Sequence, residues 1–212
     1  NSVDEMVATN TLPLNEIMPN KEQPRKTFDE GALQELADSI TQHGVLQPLL
    51  VRPLVTGGYQ LVAGERRWRA SRMAGLKEVP VVVKELSDVE TMEIAIIENL
   101  QREDLNPIEE AEGLQALIDR CGFTQEEVAT SVGKSRPAIA NALRLLKLPQ
   151  EVRDMTKNGE ISAGHARTLL SFDNEAMIYE VAQNIVKNNL TVRDVERLAK
   201  TSEKTSPSAK RK

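Results

Sequence analysis

Strand-like segments occur only in the first half of this chain, and this one-sided distribution most restricts what the chain can fold into. Three aliphatic runs predict strands, at residues 49–54, 59–63 and 79–86. Gly57-Gly58 predicts the turn that joins the first two of them. Helical patterns follow the last two strands, near residues 65–75 and 88–101, and this alternation indicates a small α/β or α+β domain.

From Pro107 onward only helical patterns occur. Pro107 suits the first turn of a helix, because its missing N–H would have no partner there. Seven helices are predicted, at about 107–121, 125–132, 136–146, 150–158, 163–171, 174–187 and 191–200. This half of the chain is therefore expected to be entirely α-helical.

The predicted fold class is α+β, with a small mixed α/β amino-terminal domain followed by an all-α domain. In chain order we expect a disordered lead-in at 1–8, the mixed domain at 9–104, the helical domain at 105–200 and a polar linker or tail at 201–212. Within the mixed domain, Asp29 as N-cap and Gly44 as stop bound a further helix, because apolar residues recur between them at helical spacing.

Composition narrows the classes of partner and compartment. The net charge is −5 over 212 residues, so an anionic partner would have to meet a local basic patch. Cys121 is the single cysteine, which excludes an internal disulfide and fits a reduced, cytoplasmic compartment. We interpret Cys121 as an inert packing residue. No run of 18 apolar residues occurs, so no membrane span or membrane partner is expected.

The most structured signal in the helical half is residues 124–148. Thr124 and Glu127 can form a capping box at the start of one helix, and Gly133 permits a tight turn after it. Ser135 can then cap a second helix. A buried stripe is predicted on that helix at Ile139, Ala140, Leu143 and Leu146. The pattern is typical of a helix-turn-helix.

The opposite face of the second helix is basic, since residues 134–147 contain four basic side chains and no acidic one. A helix amino end in the major groove can present arginine to guanine and asparagine to adenine. An ordinary helical hairpin with a solvated basic face is the alternative, but the small-residue turn and the segregated charge favour DNA. The predicted DNA-binding residues are Thr124, Lys134, Ser135, Arg136, Ala138, Asn141, Arg144 and Lys147.

A second stretch, GEISAGHARTLLSF at 159–172, places His165 and Arg167 just after Gly164, at an expected helix start. Taken alone, His165 is better explained as a capping or packing histidine than as a ligand. No partner at metal-binding spacing accompanies it, because His43 is the only other histidine and Cys121 the only cysteine.

Four arginines fall within seven residues of LVAGERRWRASRMAG, at 61–75, where a strand is expected to end and a helix to begin. Gly64 would let the backbone approach a ligand, and helix amino ends bind anions. Arg66 and Arg69 share one helix face, whereas Arg67 points elsewhere, and Trp68 is expected in the core. These guanidiniums could hold a polyphosphate, or they could pair with local glutamates on a surface helix. No Walker A motif occurs.

Oxygen-bearing side chains occur near the expected end of the helix in IAIIENLQREDLNP, at 94–107. Glu98 and Asn99 beside phosphates could hold Mg²⁺, with Arg102 three residues further on. A helix end carrying ordinary salt bridges is the equal alternative.

These motifs together resemble the ParB partition proteins over nearly all of residues 10–200. The matching stretches are QPRKTF (23–28), GVLQPLLVR (44–52), GERRWRA (64–70), ENLQREDLNPIEEA (98–111), GKSRPAIAN (133–141) and GHARTLL (164–170). The resemblance implies an amino-terminal domain, ParB/sulfiredoxin-like in fold, that binds CTP with Mg²⁺ and hydrolyses it slowly. It also implies a helix-turn-helix domain that recognises a palindromic centromere-like site, parS.

The resemblance assigns roles residue by residue. Base and sugar contacts are implied for Gly44, Val45, Leu46 and Gln47, and triphosphate contacts for Gly64, Glu65, Arg66, Arg67, Arg69 and Ala70. In the second phosphate motif, Glu98 is the implied hydrolysis residue and Asn99 helps to hold metal and phosphates, with Arg102 in the same motif. Arg136 resembles a specificity residue, and Gly164, His165 and Arg167 match a segment that approaches DNA.

The family mechanism implied by the resemblance is a switch. A dimer loads at parS, its amino-terminal domains engage around CTP, and the closed clamp spreads along nucleoid DNA until hydrolysis reopens it. A ParA-type ATPase is the implied partner of the full-length protein. The sequence departs from the pattern at both ends: NSVDEMVATN lacks the basic ParA-contacting segment, and no helical dimerisation domain follows the linker. We therefore expect a truncated form of a longer protein.

Two other functions compete with this one. A nucleoid-occlusion paralogue would share the CTP chemistry but recognise another DNA site. A plain helix-turn-helix regulator would use its first domain only as structure. The arginine cluster with Glu98 and Asn99 argues against the plain regulator.

Overall fold

The computed structural model describes residues 10–20 and 28–205, without the side chains of 202–205. The predicted lead-in at 1–8, most of the QPRKTF stretch and the end of the predicted tail lie outside the described residues. The chain divides into two compact units, Asn1–Asn99 and Leu100–Lys212. The first unit mixes sheet and helix and the second is helical, so the predicted fold class is confirmed.

A mixed five-stranded sheet forms the centre of the first unit. Its strands are β1 (Asn10–Pro13), β2 (Ile17–Met18), β3 (Leu49–Pro53), β4 (Tyr59–Ala63) and β5 (Glu78–Val83). They lie in the order β1-β5-β3-β4-β2, in which β3 pairs parallel with β5 and antiparallel with β4. The three predicted strands are confirmed. The two edge strands were not predicted, because four and two residues are too short for a readable alternation.

Among the residues of the first unit that the structure describes, three α-helices accompany the sheet: α1 (Glu30–His43), α2 (Glu65–Met73) and α3 (Asp88–Leu100). The Asp29 carboxylate caps α1 by accepting a hydrogen bond from the Ala32 N–H at 3.1 Å, as the sequence predicts. Trp68 lies in the core with Leu49, Val51, Leu61, Val79 and Val81. Ala70 packs against Ala37 and Ile40, so a small residue lets α1 and α2 approach each other. The amino end of α2 thus lies directly against buried strand residues.

Seven helices form the second unit in the described part of the chain: α4 (Pro107–Cys121), α5 (Gln125–Val132), α6 (Arg136–Arg144), α7 (Gln150–Lys157), α8 (Ala163–Leu169), α9 (Glu175–Asn188) and α10 (Val192–Thr205). All seven were predicted, with small differences at their ends. Helix α10 continues five residues beyond the predicted end at 200. Cys121 is half-buried at the end of α4.

The buried stripe of α6 is narrower than predicted. Ile139 is fully buried, as expected, but Ala140, Leu143 and Leu146 are only half-buried. Helix α6 ends at Arg144, and a 3-10 turn over Leu145–Lys147 changes the angular spacing of the side chains. Leu145 therefore enters the core, where it packs with Ile108, Val152 and Leu169. Among the described residues no helix is long and apolar enough to cross a membrane.

Candidate functional site

The amino end of α2 is built around a glycine that no other residue can replace without strain. Gly64 has φ +102°, in the left-handed region, and it precedes the first residue of the helix. A Cβ at this position would lie 2.8 Å from Cδ2 of Leu49 and 3.2 Å from Nη2 of Arg67. Both the backbone angle and the space therefore require glycine. The result is a tight strand-to-helix junction in which Gly64 and Glu65 are buried.

Arg67 joins three of the predicted motif segments of the first unit. Its Nη1 donates hydrogen bonds to the backbone carbonyls of Gln47, at 2.8 Å, and Pro48, at 2.6 Å. Burial lowers the pKa of the half-buried guanidinium from its ordinary value, and the charge of Glu98 partly offsets this. Arginine remains cationic at neutral pH. The structure thus places Arg67 against the 44–47 segment, close enough to Glu98 to feel its charge. Helical spacing indicated only that Arg67 points away from Arg66 and Arg69, and its triphosphate role was implied by the resemblance.

The other arginines of the cluster have separate environments. Glu65 is buried, and its Oε1 accepts a hydrogen bond from Nε of Arg69 at 2.9 Å. The guanidinium of Arg69 also lies 4.0 Å from the centroid of the Phe28 ring, and that of Arg72 lies 4.9 Å from the Trp68 ring. Arg66 is exposed on the helix surface. Pairing with a local glutamate, the alternative left open by the sequence, therefore applies to Arg69.

The 44–47 segment follows α1 and forms an exposed edge of the site. Gly44 ends the helix with φ +73°, and Val45 packs partly into the core beneath. Leu46 is 85% exposed. Gln47 and Leu46 are thus presented to solvent at the point where Arg67 holds the backbone.

The residues of the second phosphate motif lie at and beyond the end of α3. Glu98 is exposed and Asn99 half-buried in the last turn of the helix. Arg102 belongs to the second unit, where its guanidinium forms two hydrogen bonds with the Asp104 carboxylate, at 3.0 and 2.6 Å. The local salt bridge that the sequence left as an alternative is therefore present at Arg102.

Sequence analysis missed Arg52, which fixes the start of α3. Its side chain is 13% exposed and donates hydrogen bonds to Oε1 of Gln60 (2.8 Å), the carbonyl of Leu86 (3.0 Å) and Oδ1 of Asp88 (2.6 Å). These bonds tie the sheet to the helix that carries Glu98 and Asn99. A single arginine inside an aliphatic strand was the available signal, because such a position is seldom charged without a partner.

The helix-turn-helix has the predicted local structure. The Thr124 hydroxyl accepts from the Glu127 N–H, and the Glu127 carboxylate accepts from the N–H and hydroxyl of Thr124, so the capping box is confirmed. These bonds lower the pKa of Glu127 from its ordinary value. Gly133 turns the chain with φ +69°, and Oγ of Ser135 caps α6 by accepting from the Ala138 N–H at 3.3 Å.

The eight predicted DNA-binding residues of this motif are all exposed: Thr124, Lys134, Ser135, Arg136, Ala138, Asn141, Arg144 and Lys147. One of them has a protein partner that the sequence did not reveal, because Nζ of Lys134 pairs with the Glu110 carboxylate of α4. A second pair nearby joins Nζ of Lys157 to Glu112 at 2.7 Å. In α8, Arg167 is exposed, whereas Gly164 and His165 are half-buried.

Comparisons with known proteins place both units of the chain in one family. Residues 1–100 match the ParB N-terminal domain and residues 103–204 match the ParB HTH domain. A curated relative, the chromosome-partitioning protein Spo0J of Thermus thermophilus, is 58% identical over 88% of this chain and 68% of its own length. Across eight curated relatives, the chain spans 61% to 68% of their lengths.

Two solved structures of C-terminally truncated Caulobacter crescentus ParB are also similar. The first, complexed to the centromeric parS site, is 45% identical with a TM-score of 0.77 over 91% of this chain and 99% of its own. The second, complexed with CTP-gamma-S, is 46% identical with a TM-score of 0.43 over 82% of this chain and 98% of its own. The resemblance inferred from the sequence motifs is thus confirmed, and the chain belongs to the ParB family of chromosome-partitioning proteins.

Proposed function

We propose that this chain is a CTP-switched DNA-binding protein of chromosome segregation. Its first unit binds CTP with Mg²⁺ and hydrolyses it slowly, and its second unit recognises parS. The observation that carries the nucleotide half is the position of Arg67, which contacts the backbone of the predicted base-binding segment and lies within electrostatic reach of Glu98. A cation held at the amino end of α2 favours an anionic ligand there.

Different residues of the proposed nucleotide site would bind different parts of CTP. The backbone N–H groups after Gly64, with Arg66 and Arg67, would bind the triphosphate, and Gln47 and Leu46 would face the base and sugar. Glu65 would act mainly through Arg69, whose guanidinium it holds. A carboxylate repels phosphate and does not bind it directly. The bond from Arg69 to Glu65 would therefore explain why an acidic residue occurs inside a phosphate-binding motif.

Glu98 and Asn99 are the residues that would hold Mg²⁺. One carboxylate and one amide oxygen fit this ion, because Mg²⁺ binds proteins through one or two carboxylates and completes its shell with phosphates and water. When bound, the ion would neutralise phosphate charge during hydrolysis. Glu98 is also the proposed hydrolysis residue, and its exposed carboxylate is accessible to water.

A displacement assay tests the nucleotide proposal. Radiolabelled CTP, with Mg²⁺ present, is bound to the protein on filters and challenged with unlabelled CTP, ATP, GTP or UTP. We expect displacement by CTP and little by the others, because Gln47 and the neighbouring backbone would read the base. Absence of any bound CTP would leave the plain helix-turn-helix regulator, the competing function.

The DNA half rests on the exposed basic face of α6 and on the parS complex of the similar Caulobacter protein. We expect Arg136→Ala to weaken binding to a parS duplex by roughly 1–3 kcal/mol, as for loss of a base contact. Fluorescence anisotropy on parS and on a scrambled duplex measures this. An equal loss on both duplexes would mean that Arg136 contacts phosphate, and equal wild-type affinity for both would favour the nucleoid-occlusion paralogue.

Glu110 is expected to restrain non-specific DNA binding, because its carboxylate competes with DNA phosphate for the Lys134 ammonium. In Glu110→Gln we expect tighter binding to random-sequence DNA and a salt dependence steeper by about 0.9 in log–log slope, as for one added phosphate contact. Glu112→Gln is the matched control, since it makes the same charge change on α4 beside Lys157. Equal gains in the two variants would show a general charge effect instead.

The remaining steps concern the dimer and the longer protein. We propose that CTP favours engagement of the amino-terminal units of two copies, and that the closed dimer spreads along nucleoid DNA in the cytoplasm. A ligand produces such a switch only if it binds the engaged state more tightly than the open one. A ParA-type ATPase is the proposed partner of the full-length protein.

A further inference from the structure

His165 uses both of its ring nitrogens inside the protein. Its Nδ1 lies 3.2 Å from the backbone N of Ser162 and 2.9 Å from the Ser162 hydroxyl. Its Nε2 lies 2.9 Å from the backbone carbonyl of Leu190, which belongs to the connection from α9 to α10. The imidazole therefore spans from the first turn of α8 to a segment 25 residues later in the chain.

The chemistry of these partners fixes the tautomer. The Leu190 carbonyl can only accept a hydrogen bond, so Nε2 must carry the proton. The Ser162 N–H can only donate, so Nδ1 must present its lone pair. With one proton, on Nε2, the imidazole is neutral and both nitrogens are occupied. Neither nitrogen is then available to a DNA base or phosphate unless one of these bonds breaks.

The small size of Gly164 also helps α8 to lie close to the start of α10. A Cβ at Gly164 would lie 3.0 Å from Cγ2 of Val192, the first residue of α10. Ala166 and Leu169 of α8 lie in the core with Val195 of α10. The Gly-His pair thus allows the first turn of α8 to pack closely against the start of α10.

Arg167 lies about one helical turn after Gly164 in α8. It differs from Gly164 and His165 in its exposure to solvent. It is exposed, and its Nε donates to the Ala163 carbonyl at 3.2 Å. We propose that His165 is a positioning residue: it ties α8 to the α9–α10 connection and thereby fixes the place of Arg167, which alone of Gly164, His165 and Arg167 contacts DNA. This inference rests on the proposed DNA-binding function.

The tautomer can be measured directly by long-range proton–nitrogen NMR of ¹⁵N-histidine protein, free and bound to a parS duplex. We expect the Nε2-protonated neutral ring in both states, with little change in either nitrogen shift on binding. His43 provides an internal reference, since it lies exposed at the end of α1. An Nδ1-protonated or doubly protonated ring in the complex, or a large shift of either nitrogen on binding, would overturn the proposal.

Substitutions of His165 can test its bonds to Ser162 and to Leu190 separately. A glutamine amide can reach the position of Nε2 and donate to Leu190, whereas an asparagine reaches only the Ser162 side. We expect His165→Ala and His165→Asn to weaken parS binding about tenfold, and His165→Gln to recover most of that loss. Arg167→Ala should instead lower the salt slope by about 0.9, as for one lost phosphate contact.

Two results of the binding assay have distinct meanings. If folded His165→Gln binds parS as weakly as His165→Ala, the Leu190 bond does not position Arg167 and the inference is wrong. If the wild-type protein does not bind parS at all, the proposed DNA function fails, while the NMR measurement on the free protein still tests the imidazole bridge.

Discussion

Arg67→Ala is expected to weaken CTP binding by about 100-fold or more, because several charge-assisted hydrogen bonds of roughly 1.5–3 kcal/mol each depend on this side chain. The loss has two sources. The variant removes a cation from the amino end of α2, and it also releases the backbone carbonyls of Gln47 and Pro48 that the guanidinium holds. Isothermal titration calorimetry with CTP and Mg²⁺ measures the affinity.

Two further variants sharpen this prediction. Arg67→Lys keeps the charge but lacks the planar fork, so we expect an intermediate affinity. Arg72→Ala removes the same charge from the same helix, at a side chain that lies on the Trp68 ring, and should change CTP affinity little because distant exposed charges are screened. Wild-type affinity in Arg67→Ala, or an equal loss in Arg72→Ala, would contradict the assignment of Arg67.

Ile139→Ala should strongly destabilise the helical unit, because the side chain is fully buried beneath the exposed face of α6. We expect the free energy of unfolding of the helical unit to fall by about 2–5 kcal/mol, the usual range for truncating a buried isoleucine. Urea denaturation followed by circular dichroism at the helix band measures the change. Trp68, the single tryptophan, reports the first unit separately through its fluorescence.

Leu146→Ala is the matched control for the packing of this segment. The sequence placed Leu146 in the same buried stripe as Ile139, but the structure leaves it half-buried and puts Leu145 into the core. A smaller loss is expected for Leu146→Ala than for Leu145→Ala, since less apolar surface is exposed on truncation. The reverse order would mean that α6 continues through residue 146 as the sequence alone predicts.

Much of the fold could be predicted because local signals agree with one another. The capping residues Asp29, Thr124 and Ser135 and the aliphatic runs of β3, β4 and β5 each specify an element without reference to the rest of the chain. Strands β1 and β2 could not be predicted in this way, because edge strands of four and two residues depend on partners far away in the sequence.

The candidate site was less accessible to sequence reasoning, because its decisive contacts are long-range. Arg67 meets carbonyls 20 and 19 residues away, and Arg52 reaches Asp88 across 36 residues. Helical spacing reports only which side chains share a face, and therefore it gave no information on the partners of Arg67. The motif resemblance proposed the segments, and the structure shows that Arg67 contacts the backbone at Gln47 and Pro48 within the first unit.

A crystal structure of the protein grown with CTP-gamma-S and Mg²⁺ tests the central claim most directly. We expect nucleotide density beside Gly64–Ala70, with the triphosphate at the amino end of α2 in contact with Arg67 and the base against residues 44–47. Density for the nucleotide at another place, or none beside α2 although a saturating concentration was present, would contradict the account.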